Sequence, residues 1–548
     1  MTTTDDLAAK MVDGIHAYLD RQLAATREIR RTEWEAENSS IEESTESVIA
    51  RRDELRRILG VVDDRIDPSL NIDVSHPRGP TEIGRASGYA IYEVRWIVLD
   101  GLDAEGLLLR PHARPHAHVV AVPDADTSPE QLTGISVGLT PDAQTARRLA
   151  ESGCEVLVPD LIDRSDRWSQ SVGVAETNQT HREFIYRMAY QIGRHIVGYE
   201  IQKILAAVDW FATNRDPSSI GVAGHGEGGL LALYAAAIDD RIAGALVSGY
   251  FESREKIWRE PLYRNVWKLL TKFGDAELAA MIAPRSLTVK SGGGPEVDGP
   301  PPVKDEMRTA APGRLTNPDE ETVNSEAERS ASYFRRMGAD GRLKFVGHRG
   351  SGRSHIEALE SLLAGLGVDA GLGRIQADPV TSRAFSGRSM RLKRQFDGLV
   401  RQVRAQVRTA ENNRQAFYWE SRSLESIDAW SDSWKDFRDR LWVDVVGKLP
   451  KPVLPPDPRS RLAYKRESWN GYEVTLDLWP DIFAYGTLLV PKDLREGERR
   501  PVVVCQHGLE GRTQDVVDKG IESVYNGFGE QLVERGFVVF APQQPHIF

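Results

Sequence analysis

Apolar positions along the chain follow two alternating rhythms. Short all-apolar runs predict strands at 119–123, 155–159, 219–224, 242–249, 286–290 and 342–347. Between them, helical spacing predicts helices at 141–152, 182–213, 228–238, 323–337 and 354–365. A hairpin over 90–111 precedes the series. Strands apolar on both faces and separated by helices indicate a mostly parallel sheet covered by helices on both sides. Elsewhere the apolar residues step by three or four, as amphipathic helices require. Leu7, Met11, Ile15, Leu19 and Leu23 form one such stripe, and Leu392, Phe396, Leu399, Val403 and Val407 another. The basic run 383–408 surrounding the second stripe reads as a solvated helix face.

The pattern repeats. Tyr92-Glu93-Val94 recurs as Tyr472-Glu473-Val474, and each copy reaches a proline 19 residues later, Pro111 and Pro491. Val119–Val122 is matched by Val502–Cys505, and Gly153…Pro159 by Gly536…Pro542 with the same interval of six. Four matches in the same order point to duplication. The expected organisation is a helical arm over 1–68, a first domain over 80–372, a helical arm of the second repeat over 383–450, and the first half of a second domain over 456–548. The second copy stops at Phe548, six residues after Pro542, and the expectation is that the chain is a fragment. Strand 502–506 should then be paired on one side only. The segment 456–548 is expected to aggregate, and 80–372 to fold alone.

Composition narrows the function. With 70 basic and 81 acidic residues the net charge is −11, which argues against nucleic acid or a basic membrane-surface role. Only Cys154 and Cys505 occur, so there is no disulfide framework. No secretory leader is evident, and no apolar run approaches the ~20 residues that span a bilayer. A cytoplasmic location is expected. The oligomeric state is left open.

The sharpest local feature is Gly224-His225-Gly226-Glu227-Gly228, between a predicted strand and the helix LLALYAAA. It has the spacing of a Gly-x-Ser-x-Gly nucleophile elbow, with glycine in the nucleophile's place. Glycine has no side chain and cannot attack a carbonyl. His225 and Glu227, two apart on a tight turn, form no metal pair, and no metal or other cofactor is expected. The segment from His181 to Phe251 resembles the acetylxylan-esterase and dienelactone-hydrolase branch of the α/β-hydrolase superfamily. The resemblance implies an α/β-hydrolase fold in tandem, a small ester as substrate, and an acyl-enzyme mechanism. It also implies an acid after a later strand, here Glu296 or Asp298, and a histidine after the last strand, here His348 or His355. In that superfamily the loop after the strand equivalent to 119–123 supplies an oxyanion donor, often through a His-Gly pair. The back copy has His507, Gly508 and Leu509 there; the front copy has Pro123 and Asp124. A carboxylate at that point opposes developing negative charge. The front copy therefore reads as a degenerate hydrolase and the back copy as the seat of catalysis. The alternative is a chain that is non-catalytic throughout and binds a ligand or partner.

Overall fold

The computed structural model describes residues 6–36, 41–67, 81–169, 177–214, 220–304, 308–347, 354–381, 387–517 and 524–547. It divides into two compact units: a front unit, Arg27–Glu420, and a back unit, Met1–Thr26 with Ser421–Phe548.

The front unit's twelve strands among the described residues are β1 (Thr81–Arg85), β2 (Tyr89–Leu99), β3 (Leu102–Pro111), β4 (His118–Val122), β5 (Glu155–Pro159), β6 (Ile220–His225), β7 (Gly244–Ser248), β8 (Ser286–Lys290), β9 (Val297–Asp298), β10 (Arg314–Leu315), β11 (Leu343–Val346) and β12 (Val380–Thr381). Ten of them form one sheet in the order β11-β8-β7-β6-β4-β5-β3-β2-β1-β12. From β11 to β5 every neighbour is parallel; the rest of the sheet is antiparallel. The central strands are apolar on both faces because both are covered. Val120 and Val122 of β4 join one core, and Val119 and Ala121 join the other. β4 is flanked by β5 and β6, the arrangement that the resemblance to α/β-hydrolases implies. The predicted helix 182–213 is two helices, His181–Tyr190 and Ile196–Asn214.

The second amphipathic stripe packs against the neighbouring domain as an apolar stripe should, but the basic run around it is not wholly a solvated face. In the helix Arg388–Arg414, Phe396, Leu399 and Val403 lie in the front unit's core, as do Trp34, Leu55 and Leu59. Arg391 is fully buried and bridges to Glu130 and Asp160 at 2.7 and 3.1 Å. Nearby, Lys203 Nζ donates to Gln395 Oε1 at 2.8 Å. The core around the segment 80–372 thus also takes side chains from 27–59 and from 388–403.

In the back unit the strands are β13 (Arg459–Lys465), β14 (Trp469–Trp479), β15 (Ile482–Pro491), β16 (Val502–Val504) and β17 (Val538–Pro542), in the order β13-β14-β15-β17-β16. Registers match those of the front. Tyr92 faces Leu108 and Tyr472 faces Leu488, while Gly106 faces Pro159 and Gly486 faces Pro542. Among the described residues β16 pairs only with β17, and Val502 and Val504 are exposed. The helix segment 7–26 supplies Leu7 and Met11, which pack with Tyr485.

Candidate active site

β6 runs into a tight turn at Gly226 and then into the helix Glu227–Ile238. Gly226 holds φ 58° and ψ −116°, a conformation that side-chain-bearing residues enter only under strain. The turn of a nucleophile elbow is thus built without its nucleophile. Its flanking glycines are needed for close approach: a Cβ on Gly224 would strike the carbonyl of Gly228, and one on Gly228 the carbonyl of Val122.

The space beyond the turn is filled. A Cβ at Gly226 would lie 2.5 Å from Asp124 Oδ1 and 2.8 Å from Pro295 Cδ. Asp124, on the loop after β4, accepts the backbone N–H of Glu227 at 2.9 Å. That N–H follows the elbow position, where an acyl-transfer enzyme of this architecture aims a donor at the oxyanion. Here the protein's own carboxylate occupies it.

The carboxylate is fixed by Arg164, whose five N–H groups all find acceptors. Nη1 donates to Asp124 Oδ2 at 2.6 Å and to Asp126 Oδ2 at 3.0 Å. Nη2 donates to Asp124 Oδ1 at 3.0 Å and to Glu227 Oε2 at 3.2 Å, and Nε donates to the Tyr263 hydroxyl at 2.9 Å. Burial by itself pushes the Asp124 carboxyl upward. The Arg164 guanidinium and the amides of Glu227 and Asp126 outweigh it and hold the group well below the usual carboxylate range. Glu227 is fully buried beneath and meets two more guanidiniums, Arg182 at 3.1 Å and Arg264 at 2.9 Å. Burial raises its pKa as well, but Arg264, Arg182 and Arg164 bring it down to about 2. Both carboxylates are ionised at neutral pH, so the position that stabilises an oxyanion in an esterase carries fixed negative charge.

Arg164, Tyr263 and Asp126 also line a cavity of about 340 Å³, together with Ser165, Thr180 and Pro261. Sequence reasoning singled out Asp124 and the elbow. It missed Arg164, Arg182, Arg264 and Tyr263, because arginines on separate loops and helices carry no spacing signal. It also missed Asp163, His181 and Ser165, which have the residue types of a catalytic triad without its geometry. His181 Nδ1 meets Asp163 Oδ1 at 2.6 Å, but its Nε2 accepts the Trp168 N–H at 2.9 Å, so no base remains to take a proton. The Ser165 hydroxyl donates to Asp163 at 3.0 Å.

Among the described residues, those predicted as acid and histidine, Glu296, Asp298 and His355, are not bonded to one another. Glu296 is exposed and accepts from Asn317 Nδ2 at 2.5 Å; Asp298 is exposed and pairs with Arg314 at 2.6 Å. His355 lies 3.3 Å from Thr145 Oγ1, and burial pushes its pKa down to about 4. His348 lies outside the described residues. His225 Nδ1 is 3.0 Å from Ser248 Oγ, and burial lowers its pKa also. In the back unit His507 is buried, with Nδ1 2.8 Å from the Gly508 carbonyl oxygen. The Gly508 N–H donates to the Tyr525 hydroxyl at 2.7 Å, and Leu509 is exposed. Among the described residues there is no group of three or more His, Cys, Asp or Glu able to hold a metal ion. No described helix is long and apolar enough to cross a membrane.

Comparison with known proteins agrees with this architecture. The sequence profile of the dienelactone hydrolase family matches residues 110–257, which contain β4, β5, β6, β7 and the elbow. The chain is an α/β-hydrolase-fold protein similar to dienelactone hydrolases. Among solved structures, this α/β-hydrolase chain is 16% identical to a methylesterase, with 70% of this chain and 81% of that one covered and a TM-score of 0.44. It is 14% identical to a glucuronoyl esterase from Solibacter usitatus, covering 55% and 82% with a TM-score of 0.35. It is 16% identical to acetyl xylan esterase 1 from Thermoanaerobacterium sp., covering 44% and 77% with a TM-score of 0.31. No curated protein matches the chain significantly.

Proposed function

We propose that the front unit is a non-catalytic esterase-fold domain and that its parent hydrolyses a small carboxylic ester in the duplicated back domain. One observation carries the first half: the Asp124 carboxylate accepts the Glu227 N–H, in the seat of the oxyanion. An esterase needs a nucleophile, donors for the developing charge, and a base. At this elbow the nucleophile is missing, a donor is taken by a carboxylate, and no histidine in the described residues is bonded to Glu296 or Asp298. The matching registers of the two sheets support duplication. The back copy keeps His507, Gly508 and Leu509 in place of Pro123 and Asp124, which supports placing oxyanion chemistry there. Catalysis in that copy also requires an elbow serine, which 459–548 does not contain in a Gly-x-Ser-x-Gly setting. Two buried free cysteines, Cys154 and Cys505, accord with a reducing compartment such as the cytoplasm.

The second reading, a ligand-binding protein throughout, is favoured by the cavity beside Arg164 and Tyr263. Turnover separates the two for the chain in hand. The 548-residue protein is expected to hydrolyse p-nitrophenyl acetate no faster than a front-unit-free control of equal histidine content. Saturable turnover of about 1 per second or more, within the ordinary range for enzymes, would overturn the non-catalytic reading of the front unit.

A further inference from the structure

Three neighbouring strands of the front sheet end in a row of polar side chains that is basic and lacks a counter-charge. In the parallel register His225 of β6 faces Ser248 of β7, and Ser248 faces Lys290 of β8. Residues two apart on a strand share a face. Two positions back, Ala223 and Leu246 join a core with Ala358 and Leu359 of the helix Ser354–Gly365, and Thr288 Oγ1 lies 2.8 Å from Ser361 Oγ of the same helix. The row therefore lies on the face that this helix covers, and His355 stands in the helix's first turn.

Glycines bring the turn after β8 against the row. A Cβ on Gly249 would lie 3.0 Å from His225 Cε1 and 2.8 Å from Gly294 Cα. One on Gly293 would lie 3.7 Å from Lys290 Nζ, and one on Gly292 would meet open space. Both of these turn glycines are left-handed, at φ 75° for Gly292 and 69° for Gly293.

Lys290 is partly buried, and its ammonium makes no hydrogen bond or ion pair among the described residues. His225 meets Ser248 Oγ through Nδ1 at 3.0 Å, and His355 meets Thr145 Oγ1 through Nε2 at 3.3 Å. His225 Nε2 and His355 Nδ1 have no partner among the described residues. Burial lowers the pKa of all three groups, and the charge of Lys290 lowers both histidines further, so the three lie within electrostatic reach of one another. The carboxylate that acts on His225 is Asp124, which is held by Arg164. An ammonium drawn out of water without a counter-charge is costly, and an anion seated on it removes that cost.

We propose that His225, Ser248, Lys290 and His355 form a binding site for a small oxyanion, a carboxylate or phosphate group. Lys290 supplies the charge, as a compact donor with three N–H groups. With the Ser248 hydroxyl donating to Nδ1, His225 carries its proton on Nε2 and offers it without adding charge. The first turn of the helix Ser354–Gly365 adds its partial positive charge, and the glycine turn leaves room for the ligand. The inference does not depend on which copy is catalytic.

Isothermal titration of the 548-residue chain with sodium phosphate, and separately with sodium acetate, tests it against sodium chloride at matched ionic strength. Saturable binding of at least one is expected, with a dissociation constant of about 1 mM or tighter. Binding of only one of the two supports the site and fixes which group it takes. Lys290→Met, which keeps the length and removes the charge, should weaken binding about 10-fold or more, while Lys290→Arg keeps most of it. A second readout needs no variant: acylation of Lys290 by N-hydroxysuccinimidyl acetate, followed by peptide mass spectrometry, should slow when the bound anion is present. The proposal is overturned if neither anion binds saturably, if Lys290→Met binds as wild type does, or if the anion leaves acylation of Lys290 unchanged. None of these readouts is an activity, so failure here leaves the reading of the front elbow untouched.

Discussion

Glu227→Gln is expected to destabilise the front unit by about 3–5 kcal/mol, the cost of removing one partner from a buried ion pair. The side chain keeps its size, so the effect isolates charge. Arg164, Arg182 and Arg264 all converge on this carboxylate, at 3.2, 3.1 and 2.9 Å, and all three are buried. The loss also has a pH signature. Glu227 titrates near 2 in the folded chain against an ordinary 4.5. A carboxylate depressed by folding stabilises fully above its unfolded value, and that stability drains away as pH falls through the folded value. The difference in denaturation midpoint between wild type and Glu227→Gln should therefore be constant above about pH 4.5 and shrink between 4.5 and 2. A difference that stays flat to pH 2, or a variant as stable as wild type at neutral pH, would contradict the ion-cluster account.

Gly226→Ser, which restores the elbow motif on paper, is expected to yield no esterase and a weaker fold. The new side chain starts 2.5 Å from Asp124 Oδ1 and 2.8 Å from Pro295 Cδ, at a φ of 58°. Overpacking costs about 1–3 kcal/mol and forced left-handed backbone a similar amount, so a loss of about 2–6 kcal/mol is expected. Gly226→Ala should cost nearly as much, since Cβ causes both penalties. Turnover stays absent, because each missing oxyanion donor forfeits about 10²–10³ in rate. A Gly226→Ser protein as stable as wild type would show that the Asp124 loop moves aside easily, contrary to the geometry around Arg164.

Several of these features were legible in the sequence for physical reasons. Val119–Val122 had to be a central strand because all four residues are apolar, and a strand apolar on both faces must be covered on both. Gly224, Gly226 and Gly228 announced the tight turn, because only residues without Cβ allow that approach. Asp124 stood out as chemically wrong for an oxyanion loop, although nothing in the sequence showed that it would enter the hole itself. What could not be read was everything set by tertiary contact. Arg391 looks like any exposed helix arginine until Glu130 and Asp160 bury it. Glu296 and Asp298 sit at a plausible distance along the chain from β8, yet both face solvent. The three arginines that make Asp124 and Glu227 tolerable come from three separate segments, and sequence spacing does not register a cluster assembled in that way.

The central claim is that the front elbow is closed by its own carboxylate. Labelling with a fluorophosphonate probe, located by peptide mass spectrometry, tests it most directly, because the probe reports any serine activated beside an oxyanion hole. The account predicts no stoichiometric adduct on residues 27–420 of the wild-type chain, and none at position 226 of the Gly226→Ser variant. A one-to-one adduct on a serine of the front unit in either protein would contradict it.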